Sequence, residues 1–176
     1  EGARTMSGSL FLSLRAAHIL LAALWLGAAF MLSIFVMPAV RDVGHAGGQV
    51  MATLQKRKLH AFMAGTAVLT VVSGIWLYWI FTAGLQREAM FSAGGLAFGI
   101  GGLCGLLAMI LGGAIMGRGV SQMVALGEKA VLLAEAERAA HMQQMDALRR
   151  RLNLAGKFIL LLMIVALLLM AVGHYL

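Results

Sequence analysis

The chain has 176 residues, of which 61% are hydrophobic and only 12% charged, and its mean hydropathy is +0.91. A water-soluble domain keeps about 25% charged residues, so this composition excludes one. A formal net charge of +7 would suit nucleic acid, but the basic residues fall between apolar runs, where anionic lipid headgroups meet them first. Nucleic acid is therefore not an expected partner; the lipid bilayer is.

Apolar stretches of about 20 residues cross a hydrocarbon core about 30 Å thick as helices. Four such stretches occur, at 16–40, 59–83, 90–116 and 158–176. They predict an all-α integral membrane protein: a four-helix bundle forming a single membrane domain over 1–176. The first stretch, 25 residues long, exceeds the about 7–15-residue apolar region of a signal peptide. It reads as a spanning helix. The chain opens with Glu1 rather than Met, which leaves room for sequence before it.

The first span carries LRAAHILLAALWLGAAF at 14–30, with Arg15 and His18 at the mouth of the apolar run and Trp25 two turns further in. An anchor needs none of the three. The span should end at Pro38, and RDVGHAGG at 41–48 reads as a turn by its glycines. His45 in that turn reads as solvated. The second helix should start near Gln49, with QKRK at the headgroups and His60 just after them. His60 suits a lipid phosphate or, less simply, a ligand role. Trp76, Tyr78 and Trp79 close the second span as interfacial aromatics.

After the tight connection 82–89 comes a third span of different character. It holds Gly95-xxx-Gly99, Gly101-xxx-Gly105 and Gly113-xxx-Gly117. That spacing either lets two helix backbones approach closely or leaves a slot for a flat ligand. Close packing would make both Gly101→Leu and Gly105→Leu disruptive. The lone Cys104 reads as a small packing residue.

The connection 118–157 has no proline and is rich in helix formers, predicting an amphipathic helical segment between the third and fourth spans. Val124, Val131, Met145 and Leu152 recur on a seven-residue step broken by Arg138, with Gly127 as the expected break and His141 as a solvated residue. Such a stripe packs on the bundle, on headgroups, on another membrane subunit or on a second copy of the chain. The fourth span ends with His174 and the interfacial Tyr175.

Eleven of the fourteen basic residues lie in the two connections 41–58 and 118–157, against Arg4, Arg15 and Arg87 elsewhere. The positive-inside rule then makes those connections cytoplasmic and turns both termini to the outer, periplasmic side of an inner membrane.

No Asp or Glu falls in a span, and no Ser-His-Asp set, phosphate loop or carboxylate pair can be assembled. The functional candidates at membrane depth are therefore histidines. His18 and His174 fall at the same outer depth, whereas His60 lies sixteen residues below Trp76, roughly 24 Å away. Two imidazoles on facing helices are one way to hold a b-type haem. In that reading His18 and His174 would take the iron, Arg15 a propionate and Trp25 the ring. Against it, Arg15 can snorkel to headgroups and an interfacial histidine can simply hydrogen-bond. Thirteen methionines raise Cu(I) as a rival, but their scatter suits gap filling better.

The stretch H-x6-W-x-G from His18, followed by Phe30 and Pro38, resembles the first helix of HemJ-type and CopD-like membrane proteins. RKLHAFMAGTAVLTVVSGIWL at 57–77 resembles their second helix, and LLLMAVGHYL at 167–176 is similar to the last helix of CopD-like proteins. The likeness covers about half the chain. It implies haem b with His18 as the haem-linked histidine. HemJ-type proteins oxidise protoporphyrinogen, but they carry a His-Val-Lys-like element in their third helix, where this chain has neither His nor Lys. The CopD-like side implies copper handling. The expected function is thus a haem-b protein of electron transfer or tetrapyrrole chemistry, with a cofactor-free accessory subunit of a larger complex as the alternative and metal transport third.

The orientation has a direct test. In intact cells an impermeant thiol reagent should label Gln86→Cys and spare Arg150→Cys; the reverse pattern overturns the topology.

Overall fold

A computed structural model describes residues 2–130 and 135–176, and among them every regular element is a helix. Helix α1 (Gly2–Met31) passes through a π-helical turn, Leu32–Val36, into α2 (Met37–Asp42). Then come α3 (His45–Lys56), α4 (Leu59–Phe81), the short α5 (Arg87–Met90) and α6 (Ala93–Leu111). A second π turn, Gly112–Gly117, leads into α7 (Arg118–Ala130), and α8 (Glu135–Val172) follows. Four stretches are long and apolar enough to cross a membrane: Gly8–Asp42, Leu59–Phe81, Ala93–Gly127 and His141–Val172.

Three boundaries differ from the sequence expectation. The first helix does not stop at Pro38. Proline lacks an N–H and crowds the carbonyl four residues back, which here belongs to Ile34, inside the widened π turn. The helix passes through its proline there and stops at Gly44, whose φ of 61° is left-handed. Residues 45–48, expected in the turn, already belong to a helix, and that helix, α3, does not run on into the second span but is set off from α4 by Lys58 at φ 60°. Gly127 lies inside α7 rather than breaking it. Of the proposed seven-residue stripe, Val131 lies outside the described residues, and so do the side chains of Val124 and Arg138.

The helices meet in chain order: α1 packs on α4, α4 on α6, and α6 on α8, while α8 touches α1 more lightly. One buried cluster draws on all four: Trp25 and Ala29, Ala67, Ala108, then Ile159 and Met163. Met63, Met109 and Met116 pack around it, so several of the scattered methionines fill the core, as a flexible thioether does.

The α6–α8 contact is the closest. Gly94, Ala97, Gly101 and Ala108 are buried along one stripe of α6. A Cβ added to Gly94 would stand 2.8 Å from the Gly173 carbonyl oxygen, and one added to Gly101 would stand 3.3 Å from that of Ala166. On α8 Met145, Leu152, Ile159 and Ala166, with Gly173 just past its end, are all buried. Their step of seven is the period of a coiled-coil seam. The seam is longer than a hydrocarbon core is thick, because α8 has 38 residues, about 57 Å of helix. Towards its start α7 covers it, with Gly119 packed directly under the Leu152 side chain, which would have to move to admit a Cβ. His141 is not merely solvated: its Nε2 donates to the Leu126 carbonyl at 2.7 Å and ties α8 to α7.

The two glycines expected to act alike on α6 therefore part company. Gly101 sits in the α8 contact, whereas nothing lies within 4 Å of a Cβ at Gly105. In a detergent thermal-unfolding assay, Gly101→Leu is expected to cost about 1–3 kcal/mol by overpacking. Gly105→Leu should stay within about 0.5 kcal/mol. Equal losses would mean that both glycines face a helix.

Candidate functional site

Helix α4 carries a line of small polar residues through an otherwise apolar span: Thr66, Thr70 and Ser73, all buried. Without water, each hydroxyl must find a carbonyl. Thr66 donates to Phe62 at 2.9 Å, Thr70 to Thr66 at 2.7 Å and Ser73 to Leu69 at 2.7 Å. The line faces α1, and His18 meets it.

His18 is 8% exposed. Its Nδ1 lies 3.0 Å from the Thr70 carbonyl oxygen and 3.0 Å from Ser73 Oγ. The ring rests on Gly74, where an added Cβ would stand 2.9 Å from His18 Cε1. A carbonyl only accepts, so the bond to Thr70 puts a hydrogen on Nδ1. Among the described residues Nε2 has no hydrogen-bond partner, and no fully buried side-chain N or O is left unpaired. Nε2 therefore keeps contact with open space.

That space is a cleft of about 1020 Å³ lined from α1, α4, α6 and α8. Arg15, His18, Trp25 and His174, the four residues singled out by sequence, all line it. Their circumstances differ. Arg15 is exposed on α1. Trp25 is buried and belongs both to the core cluster and to the cleft wall. His174 is exposed just past the end of α8, its ring edge-on to Tyr175 at 5.9 Å. The helix that grips His18 is α4; the expected facing of the first and last spans is the lighter contact. His60 is elsewhere, exposed at the start of α4 and beside Gly117. Thirteen residues separate it from Ser73, roughly 20 Å along the helix.

The glycines of α6 divide between two faces. Gly95, Gly99, Gly102 and Gly105 line the cleft, and a Cβ at Gly102 or Gly105 would meet nothing within 4 Å. The wall is thus smooth opposite α4. The Tyr78 hydroxyl comes close to it, 3.1 Å from where a Gly99 Cβ would stand. At one end, the turn after α4 is clamped by Thr82, fully buried, whose Oγ1 donates to the Tyr78 carbonyl at 2.8 Å and accepts from the Leu85 N–H at 3.2 Å.

Among the described residues no three His, Cys, Asp or Glu side chains gather where a bare metal ion would be held. A haem makes smaller demands, because the macrocycle brings its own equatorial nitrogens and asks the protein for axial ligands. A metal-bound histidine commonly gives its other ring N–H to a backbone carbonyl, and His18 Nδ1 is so placed. The cleft's apolar walls with few polar groups suit a flat amphipathic ligand, and Arg15 suits a carboxylate on it. The residues present fit the group.

Sequence reasoning missed Thr70, Ser73 and Gly74. Their signal was present: polar residues at positions 66, 70 and 73 fall on one helical face, and small polar residues in a span mark a helix contact. No protein-family model, curated protein or solved structure matches this chain.

The grip of α4 on His18 predicts a sharp contrast between two glycines. Gly74→Ala would drive a methyl group into the His18 ring, and about 1–3 kcal/mol of stability is expected to be lost in detergent. Gly65→Ala, on the same helix with nothing within 4 Å, should not destabilise. Equal stability of the two variants would mean that the ring does not rest on α4.

Proposed function

We propose that the protein is a four-helix bundle of the inner membrane that binds one haem b at its His18 end. Its task is electron transfer or tetrapyrrole-linked redox chemistry. Both termini face outward, and the helical connection 118–157 is cytoplasmic. One observation carries the reading: the Thr70 carbonyl holds His18 Nδ1 at 3.0 Å, so a neutral ring would carry its hydrogen there and offer its Nε2 lone pair to a cleft of about 1020 Å³. The H-x6-W-x-G stretch and its resemblance to the HemJ-type and CopD-like first helix lend a second, independent support.

In this reading His18 would be the residue that chiefly holds the iron. His174, on the same cleft but past the last helical turn, is the weaker second one. Arg15 pairs with a propionate at the rim, and Trp25 forms the apolar floor. The bound group supplies one-electron redox chemistry. The chain's part is to fix one imidazole, exclude water with apolar walls and leave room beside Gly102 and Gly105.

The accessory-subunit reading also has an observation behind it. Met142 and Leu154 are large apolar side chains exposed on α8, and in that reading they would serve for docking. In that case His18 is only an interhelical tie.

A visible spectrum of the purified protein separates the two. The haem reading expects a Soret band that His18→Ala abolishes. His174→Ala should turn a six-coordinate spectrum into a five-coordinate or weaker one, and Arg15→Ala should loosen binding least. His60→Ala should change nothing. A colourless wild-type protein that takes up no added haem would favour the accessory subunit, and loss of the band in His60→Ala but not His18→Ala would place the site at the wrong end.

A further inference from the structure

Two neighbours surround His18 Nδ1, and both accept. The Thr70 carbonyl can do nothing else. Ser73 has one hydroxyl hydrogen, which is directed to the Leu69 carbonyl at 2.7 Å or the Thr70 carbonyl at 3.0 Å. Either use leaves the oxygen of Ser73 presenting a lone pair to Nδ1 at 3.0 Å. The Thr70 hydroxyl does not compete, since it is spent on the Thr66 carbonyl at 2.7 Å. Gly74 beneath the ring sets its plane, with Cε1 occupying ground that any side chain would take. A neutral imidazole has one N–H to give, and two acceptors at one nitrogen decide which nitrogen carries it.

We propose that Ser73, with the Thr70 carbonyl, is the positioning group that holds His18 as its Nδ1–H tautomer and turns a bare Nε2 lone pair into the cleft as the acceptor for a haem iron. The role of Ser73 rests on the haem reading for its purpose, but the tautomer does not. Free histidine in water favours the opposite tautomer, with the hydrogen on Nε2; that form would set its lone pair against the Thr70 carbonyl, and Ser73 could meet it only by giving up its own bond to the Leu69 or Thr70 carbonyl. The pair of bonds therefore selects a state that water would not.

The test begins without haem. Protein labelled with 15N-histidine is purified in detergent and held at alkaline pH, where the ring is neutral. His18 is assigned by the signals lost in His18→Gln. The expected pattern is a protonated-type Nδ1 and an unprotonated-type Nε2. In Ser73→Ala only the Thr70 carbonyl remains, and the two shifts should move towards each other as the tautomers mix. Ser73→Thr keeps a hydroxyl and should restore the wild-type pattern. A wild-type Nε2–H tautomer, or a Ser73→Ala spectrum identical to wild type, overturns the positioning role.

Ferric haem is then added to each protein. Loss of a partner to a metal-bound histidine typically costs about 10–100-fold in affinity, so Ser73→Ala should bind haem at least about tenfold more weakly than wild type or Ser73→Thr. If the tautomer is as stated but no protein binds haem, the haem reading fails while the tautomer stands. Equal haem affinity in Ser73→Ala and wild type would overturn the positioning role and spare the haem reading.

Discussion

The hydrocarbon interior of a membrane offers no water to a polar group, and the design of the spans follows from that scarcity. On α4, Thr66, Thr70 and Ser73 return their hydroxyls to carbonyls of their own helix. Their hydrogens go to no other helix. His18 is the exception, bonding across from α1 to α4. Interhelical hydrogen bonds in bilayers average about 0.6 kcal/mol and reach about 1.7. That is too little to explain a histidine by the stability it adds, because Ala or Leu on that face would pack at no desolvation cost. An ionisable side chain kept at such a position against its own expense points to a task beyond holding two helices together.

Small side chains make the same economy possible twice on α6. A helix rich in glycine loses intrinsic stability, about 1 kcal/mol per glycine against alanine, and regains it only through close contact. Gly94, Ala97 and Gly101 are used in this way against α8, where backbones approach too closely for a larger residue. A Cβ added to Gly102 or Gly105 would meet nothing within 4 Å. No packing argument accounts for them, and they lie on the cleft. One helix thus has a face that is small because another helix is near, and a face that is small beside open space.

The spans were legible because hydropathy over about 20 residues is a coarse property that no local detail reverses. Proline was misleading at position 38 because a π turn, invisible to periodicity, accommodates it. Glycines at 44, 47 and 48 suggested a loop, yet only Gly44 has a left-handed φ; the other two sit within α3. The four residues picked for a haem site all line one cleft; Arg, His and Trp are conspicuous in an apolar run. The partners of His18 were not picked, because threonine, serine and glycine look ordinary in a span until their common face is drawn. A backbone carbonyl, the most consequential of those partners, has no signature in a sequence at all.

Depth gave the histidines at 18 and 174 a common level, but depth does not decide which neighbour a ring faces. That is set by which helices adjoin and by where small residues let a ring in, here Gly74. The contacts make α4 the support of His18 and α8 a second wall. That wall is not a local piece. Helix α8 runs unbroken from Glu135 to Val172, and one buried seam, Met145 to Gly173, joins it first to α7 and then to α6. The bond from His141 to Leu126 closes the far part of that seam, and Gly94 on Gly173 closes the near part. A helix packed over most of its length resists bending at one end alone, because close-packed contacts resist partial displacement. The part of α8 that walls the cleft and the part that lies against α7 therefore belong to one helix, and the first is steadied by the contacts of the second.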